Sequence, residues 1–581
     1  MDKGKINALV AGLLLAGIAH PGGAAAQSLS YGKAAAEPEG SAEAGDGDSA
    51  AVPARTRSGG HGGAHGGGRA WISPYLEAAQ VISAELAPTH DVLTWSTLAV
   101  GVDGGLNGRN TRGTFSARYE RRFGYGKAQD GDVLSGLARV ETSVIPQAVM
   151  LEAGALATRT TTFGTSVPGS TDPNRSTRLW SAYVGPSVAT HAGEVAINGA
   201  YRIGYTEIGS DAVVSGAGRS SGVDVFDHSV TQMASLHAGT RPGDILPVGI
   251  GLGGGFYQED VSNLDQRVRD LHLRGDVAVP VSDTVSLVGG VGYENLRVSS
   301  RDALRDPTNP ALAVVGSDGR YVTDKSAPRQ IAYQSSGLIW DAGVTWRPSR
   351  RTAFEAHVGR RYGSTTYYGS FGWRATRRST VNLSVYDSVS GFGGALNRAL
   401  VALPTDFEVS RNPVTGGING CVASVDTNVT AGGGACLPGV FGSVRSASFR
   451  SRGVQGSYAV EMGSLGMGVG AGYDRRSFFA AAGTILAPAN GVVDENAWIS
   501  AWLSGRIDRD SSFSTFAYVD WFESRLDASK GTAMGANANY NRSLGRHLSA
   551  NAALSIQGIQ RSRALDEWEA SAALGVRYSF F

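Results

Sequence analysis

The chain has 581 residues, a formal net charge of +1, 81 glycines and only 18% charged residues. So balanced a charge excludes a global field that would draw nucleic acid or acidic substrates, and a glycine share about twice the usual, with so few charges, is unlike a string of soluble domains. Beyond the N-terminus no run of 18 apolar residues occurs, which excludes a transmembrane helix there; the mean hydropathy of -0.11 is also what a membrane strand gives when apolar and polar residues alternate.

In chain order, residues 1–26 read as a secretory signal: Lys3 and Lys5 form a positive start, residues 6–19 an apolar stretch, and Ala24, Ala25 and Ala26 a small-residue cleavage site before Gln27. Gln27, not Cys, gives no attachment point for a lipid anchor. Residues 27–70 are rich in Ala, Gly, Ser, Glu and Asp without an apolar period and read as a disordered periplasmic leader. His61 and His65 fall in its Gly-rich run, where a flexible polar tract is a simpler account than metal capture.

From Trp71 to the end, segments of alternating apolar and polar residues follow one another. They fall near 72–85, 90–105, 111–125, 132–143, 147–160, 176–190, 193–208, 226–239, 244–258, 267–279, 283–298 and 336–347, then near 351–362, 364–376, 379–389, 446–461, 464–478, 496–507, 511–523, 531–543, 546–559 and 566–581. Period two sends alternate residues to opposite faces: Phe354, Ala356 and Val358 oppose Glu355, His357 and Arg361, and Met534, Ala536, Ala538 and Tyr540 oppose Asn537, Asn539 and Asn541. The expected fold is all-β, a transmembrane antiparallel β-barrel of about 22 strands (range about 16–24) spanning 71–581.

Three features favour a membrane barrel over a soluble sandwich. Tight connections such as residues 107–110, 241–244 and 348–351 alternate with long ones near 209–225, 300–334 and 390–445, the pattern of short periplasmic turns and long outer loops. Trp340, Trp346, Tyr367, Phe371, Trp373, Tyr578 and Phe580 fall on the apolar face, where interface belts need amphipathic rings. At the C-terminus Leu574, Val576, Tyr578 and Phe580 alternate with Gly575, Arg577 and Ser579 before Phe581. This end resembles the assembly signal of outer-membrane barrels, with Phe581 out of phase; the resemblance implies the barrel-assembly machinery and outer-membrane lipid as partners.

The opening strand Ile72, Ser73, Pro74, Tyr75, Leu76, Glu77, and the loop 403–413 (Leu403 to Pro413) with Cys421 and Cys436 after it, carry a resemblance to the outer-membrane β-barrel porin family found with exopolysaccharide and exosortase (PEP-CTERM-type) systems. That resemblance implies passage of polysaccharide across the outer membrane and a periplasmic export partner.

No catalytic set stands out, and neither a cofactor nor a metal site is expected. Gly251, Leu252, Gly253, Gly254 and Gly255 match a loose phosphate-loop pattern but sit inside a strand segment with no helix to follow, and residues 218–222 match a nucleophile elbow by letter without its strand and helix. The two cysteines, in an oxidising compartment, are expected to close the 390–445 loop with a disulfide contributing about 3 kcal/mol.

Charges cannot face the bilayer midplane without costing about 2–4 kcal/mol each, so the pore-lining candidates are Arg112, Arg118, Glu120, Arg122, Asp270, His272, Arg274, Asp341, Arg347, Glu355, His357, Arg361, Arg374, Arg506 and Arg577. Asp276 shares their face. They form either a selectivity lining for a polar or anionic solute or a cross-strand ion-pair network that fills the lumen. Trp498 and Trp502 share a phase with Ser500 and Arg506, and a place in the lipid belt is slightly favoured for them over the lumen. A 22-stranded barrel usually holds a plug, and residues 27–70 are too short for one, so the 390–445 loop is the expected constriction. The function expected is a channel for a hydrophilic solute or polymer, exopolysaccharide export included; a passive diffusion porin and an adhesive surface barrel are the rivals.

Overall fold

In the computed structural model the described residues are 70–160, 177–209, 225–376, 378–405, 407–409, 411–418, 421–424, 435–436, 444–525, 529–562 and 564–580. The expected signal peptide and leader, and Phe581, lie outside them.

The strands are β1 (Ala70–Ala87), β2 (Val92–Asn107), β3 (Thr111–Tyr125), β4 (Gly131–Ile145), β5 (Val149–Thr160), β6 (Thr177–Ala192), β7 (Val195–Ile208), β8 (His228–Gly239), β9 (Gly249–Val261), β10 (Gln266–Ser282), β11 (Val285–Ser300), β12 (Gln330–Ser349), β13 (Thr352–Arg361), β14 (Ser364–Thr376) and β15 (Ser379–Ser390). A helix, α1 (Phe392–Val401), and three short strands, β16 (Phe407–Glu408), β17 (Cys421–Ser424) and β18 (Ala435–Cys436), precede β19 (Phe449–Met462), β20 (Leu465–Phe478), β21 (Val493–Arg506), β22 (Ser511–Ser524), β23 (Ser529–Ser543), β24 (Leu548–Arg561) and β25 (Glu567–Ser579). All but the short three form one 22-stranded sheet. Every strand pairs antiparallel with its sequence neighbour; β15 pairs with β19 across the longest connection, and β25 pairs back onto β1, with Glu77 opposite Arg577. The sheet therefore has no edge.

Which face is buried decides the environment. The apolar set is the exposed one: Leu338 is 74% exposed and Leu574 68%, while Glu120 is 2% and Thr206 0% exposed. A soluble sandwich would reverse this. Outward apolar side chains with polar ones within are the signature of a transmembrane barrel.

Strand direction puts residues 108–110, 146–148, 193–194, 283–284, 350–351 and 463–464 at one end, together with the start of β1 and the end of β25. The other end carries residues 209–227, 301–329, 391–448 and 479–492. Short periplasmic turns oppose long extracellular loops. The expected 300–334 loop is shorter than read, because β12 begins at Gln330 and pairs with the end of β11.

The glycine excess has a local use. On β20, Gly472 stands opposite Trp498 of β21, and a Cβ there would lie 2.7 Å from the indole Nε1. The ring lies where a side chain would be, so only glycine fits. The run matching a phosphate loop works the same way on β9. A Cβ at Gly251 would meet His237 and Asp276, and one at Gly255 would meet the His272 ring.

Candidate functional site: the lumen and the loop within it

The inward face of β8–β14 carries two ion-pair clusters. Arg274 grips Asp341 with two bonds, Nε to Oδ1 at 2.7 Å and Nη2 to Oδ2 at 2.8 Å, and reaches Asp276 at 3.1 Å. Asp276 also meets His237 at 3.1 Å; Asp341 meets His357 Nδ1 at 3.0 Å and the Tyr368 hydroxyl at 3.2 Å, and His357 Nε2 lies 3.2 Å from Glu355. Arg361 donates to Glu294 and Asp270, both at 2.6 Å, and sits 3.0 Å from His272 Nδ1.

Further ion pairs line β1–β3 and β25. Arg118 meets Glu77 at 3.1 Å and Glu120 at close range, Arg122 meets Glu120 at 2.8 Å, and Arg577 meets Asp103 at 3.0 Å while stacking on Tyr75. Another set, on β4–β7, joins Arg139 and Arg202 through Glu152. Eleven of the charged candidates named from the sequence, Arg118, Glu120, Arg122, Asp270, His272, Arg274, Asp341, Glu355, His357, Arg361 and Arg577, thus stand in ion pairs within and between strands, a near-neutral lattice that braces the wall. Buried pairs of this geometry hold one another in place, and removal of one partner strands the other.

The remaining four, Arg112, Arg347, Arg374 and Arg506, fall at one level, the periplasmic mouth, spaced around the ring. Strand direction and register place all four at the periplasmic ends of β3, β12, β14 and β21, on the inward phase, with Arg112 and Arg506 exposed. Sequence alone could not group them, since their strands lie far apart in the chain.

A different wall runs along β21–β24. Trp498 is buried and shares the inner face with Asn496, Ser500 and Trp502, so the lipid-belt reading of the two tryptophans is overturned. Alternation had already put them in phase with Ser500; the glycines that let the rings lie flat, Gly472 and Gly468, were the overlooked signal. Asn537, Asn539, Asn541, Asn551 and Gln557 continue this wall with amides in place of charges.

The described residues 391–405, 407–409 and 411–418 turn into the barrel. Glu259, projecting from β9, receives the amides of Gly391 at 2.6 Å and Gly394 at 2.9 Å, so a wall carboxylate caps the α1 N-terminus. Ser229 and Tyr257 donate to the same carboxylate at 3.1 and 2.6 Å. Phe392, Leu396 and Leu400 of α1 bury against Leu137, Leu156, Leu179, Ile208 and Phe226. Further along, Arg411 donates to Ser135 Oγ at 3.2 Å, the Ile418 amide to Thr158 Oγ1 at 3.2 Å, and Arg122 to the Thr415 carbonyl at 2.8 Å. Burial pushes the Arg411 guanidinium below its ordinary value. Val414 packs with Val81, Trp95, Ala553 and Ala573, so the loop spans from β4–β8 to the seam of β1 and β25.

The outer loops lock over it. Arg320, buried, donates to the carbonyls of Phe226 at 3.0 Å, Ile208 at 3.2 Å and Val225 at 3.3 Å, and the Phe226 amide meets the Val444 carbonyl at 2.9 Å. Burial raises the Asp227 carboxyl, but His228, Ser262 and Arg320 outweigh it and hold the group below its ordinary value.

Cys421 and Cys436 are direct register partners across β17 and β18; their side chains lie outside the described residues. Leu574, Val576, Tyr578 and Phe580 face outward, and the Phe580 amide bonds the Pro74 carbonyl at 3.1 Å, so the proposed assembly signal lies on the closing seam.

Outward apolar belt, polar interior and both barrel ends on the short-turn side make this an outer-membrane β-barrel. No family model matches the chain, the exopolysaccharide-associated porins included, and no curated protein matches it. Among solved structures, the iron transporter FrpB from Neisseria meningitidis (F5-1 variant) is 12% identical over 87% of this chain and 82% of that one, with a TM-score of 0.40. The open form of the ferric-catecholate import receptor Fiu from E. coli K12 is 10% identical, over 87% and 81%, at 0.40. The siderophore receptor PiuA from Acinetobacter baumannii is 7% identical, over 87% and 82%, at 0.37. Likeness this distant assigns no cargo.

Proposed function

We propose that the chain is an outer-membrane channel that draws a hydrophilic, anionic solute or polymer from the periplasm, with the loop 391–448 as its constriction. The observation that carries this is the polar inner wall, with four arginines, Arg112, Arg347, Arg374 and Arg506, spaced around its periplasmic level. Guanidinia at a pore entrance raise the local concentration of anions and set selectivity. Exported exopolysaccharide is the polymer that the sequence resemblance favours, and outer-membrane lipid, the barrel-assembly machinery and a periplasmic export component are the partners proposed with it.

Planar-bilayer recordings test the reading. Replacing residues 392–447 by a short Gly/Ser turn leaves β15 and β19 paired and raises single-channel conductance severalfold; the open channel prefers anions, and the quadruple change R112Q/R347Q/R374Q/R506Q removes that preference. A loop-deleted barrel that folds but passes no current rules the channel out.

A further inference from the structure

On the outer surface of β9–β12, near their extracellular ends, the register sets Gln258, Arg269, Arg297 and Gln334 in one row across four strands. Arg269 and Arg297 are therefore direct cross-strand partners, their Cβ atoms about 5 Å apart. Both are exposed. Like charges placed directly opposite destabilise an antiparallel pair. The row above holds Asp260, but that carboxylate already receives Arg267 Nε at close range and Gln258 Nε2 at 2.7 Å. Among the described residues no ion pair supplies a carboxylate to Arg269 or Arg297. Other outward arginines near this rim do meet one: Arg121 reaches Asp130 and Arg475 reaches Glu495, both at 3.4 Å.

Below the row, past exposed Asn295 and Ser336, the wall turns apolar. Leu271, Leu273, Tyr293 and Leu338 are all more than half exposed and begin the lipid-facing belt. The Arg269 guanidinium leans down over Phe256, 5.8 Å from the ring centre, toward that belt.

We infer that Arg269 and Arg297 form a binding site for the phosphate of a phosphorylated glycolipid in the outer leaflet of the membrane. Two guanidinia offer forked donors that match a phosphate bidentately, and one anion between them turns the repulsive pair into a bridged one. The Gln334 amide, at the end of the row, is placed for sugar hydroxyls or a second phosphate oxygen. The acyl chains lie over Leu271, Leu273 and Leu338. Inorganic phosphate shares the headgroup chemistry but gains nothing from this belt, so the lipid is the occupant.

The test is native mass spectrometry of the detergent-purified full chain titrated with bis-phosphorylated lipid A, fully dephosphorylated lipid A, and inorganic phosphate. One bis-phosphorylated lipid is retained per barrel, the dephosphorylated lipid is retained at least tenfold less, and millimolar inorganic phosphate does not displace the bound lipid. R269Q/R297Q, shown folded by its heat-dependent shift on a gel, loses the retention about tenfold, R269K/R297K keeps most of it, and R121Q is unchanged. Equal retention by R269Q/R297Q overturns the site, as does equal retention of the dephosphorylated lipid. Displacement of the lipid by inorganic phosphate at matched concentration also overturns it, making the pair a general anion site.

Discussion

The outer and periplasmic halves of one barrel obey different rules. In the outer half the wall behaves like the core of a soluble protein: Leu137, Leu156, Leu179 and Ile208 point inward and bury α1, and Glu259 spends its charge on capping a helix. Lower down, β4, β5 and β7 of that same wall carry the Arg139–Glu152–Arg202 lattice, and at the mouth β3, β12, β14 and β21 end in Arg112, Arg347, Arg374 and Arg506. A barrel strand thus need not have one interior character along its length; what fills the lumen at each height selects the residue.

Four substitutions sharpen or break this comparison. Phe392→Ala should have the largest effect, costing about 4 kcal/mol of loop docking, read as faster hydrogen exchange over residues 392–401 with the barrel's heat-dependent gel shift unaltered. If the whole barrel melts earlier instead, the outer half is part of the wall's stability and the two halves are not separable.

Arg274→Gln should cost about 3 kcal/mol, because Asp341 and Asp276 lose their buried partner; here the barrel's thermal transition falls while the exchange of α1 is unchanged. Glu259→Gln, which keeps the shape but weakens charge-assisted caps, should cost about 2 kcal/mol, read as more frequent loop-opening events in single-channel traces. Arg374→Gln should change stability by under about 0.5 kcal/mol and show only as a reduced anion preference in reversal potentials.

The strands were legible because a membrane wall must alternate along its whole length. All 22 expected segments coincide with barrel strands, and the errors lie at ends such as residues 330–335, where β12 extends into the loop predicted for 300–334. Inward position was legible for charges at mid-strand, since the bilayer midplane does not tolerate them, but not for charges near the rim such as Arg269, nor for Trp498, an amphipathic ring acceptable on either side.

The loop's interior course was the least legible part. The residues 392–401 carry glycine at 393 and 394 in their first turn, and their helix owes its start to a carboxylate more than a hundred residues earlier in the chain. No local pattern reports such a cap. The need for some plug was visible from the strand number, its location from the loop's length, and its contacts from neither.

The loop's contacts also tie it to the closure of the ring. Residues 391–448 are made after β15, with seven strands still to come, and the ring is complete only when β25 meets β1. Val414 packs against both of those closing strands' neighbourhoods, with Val81 and Ala573. The loop's inner end therefore rests on the very strands whose pairing makes the ring, so those contacts are complete only in the closed barrel.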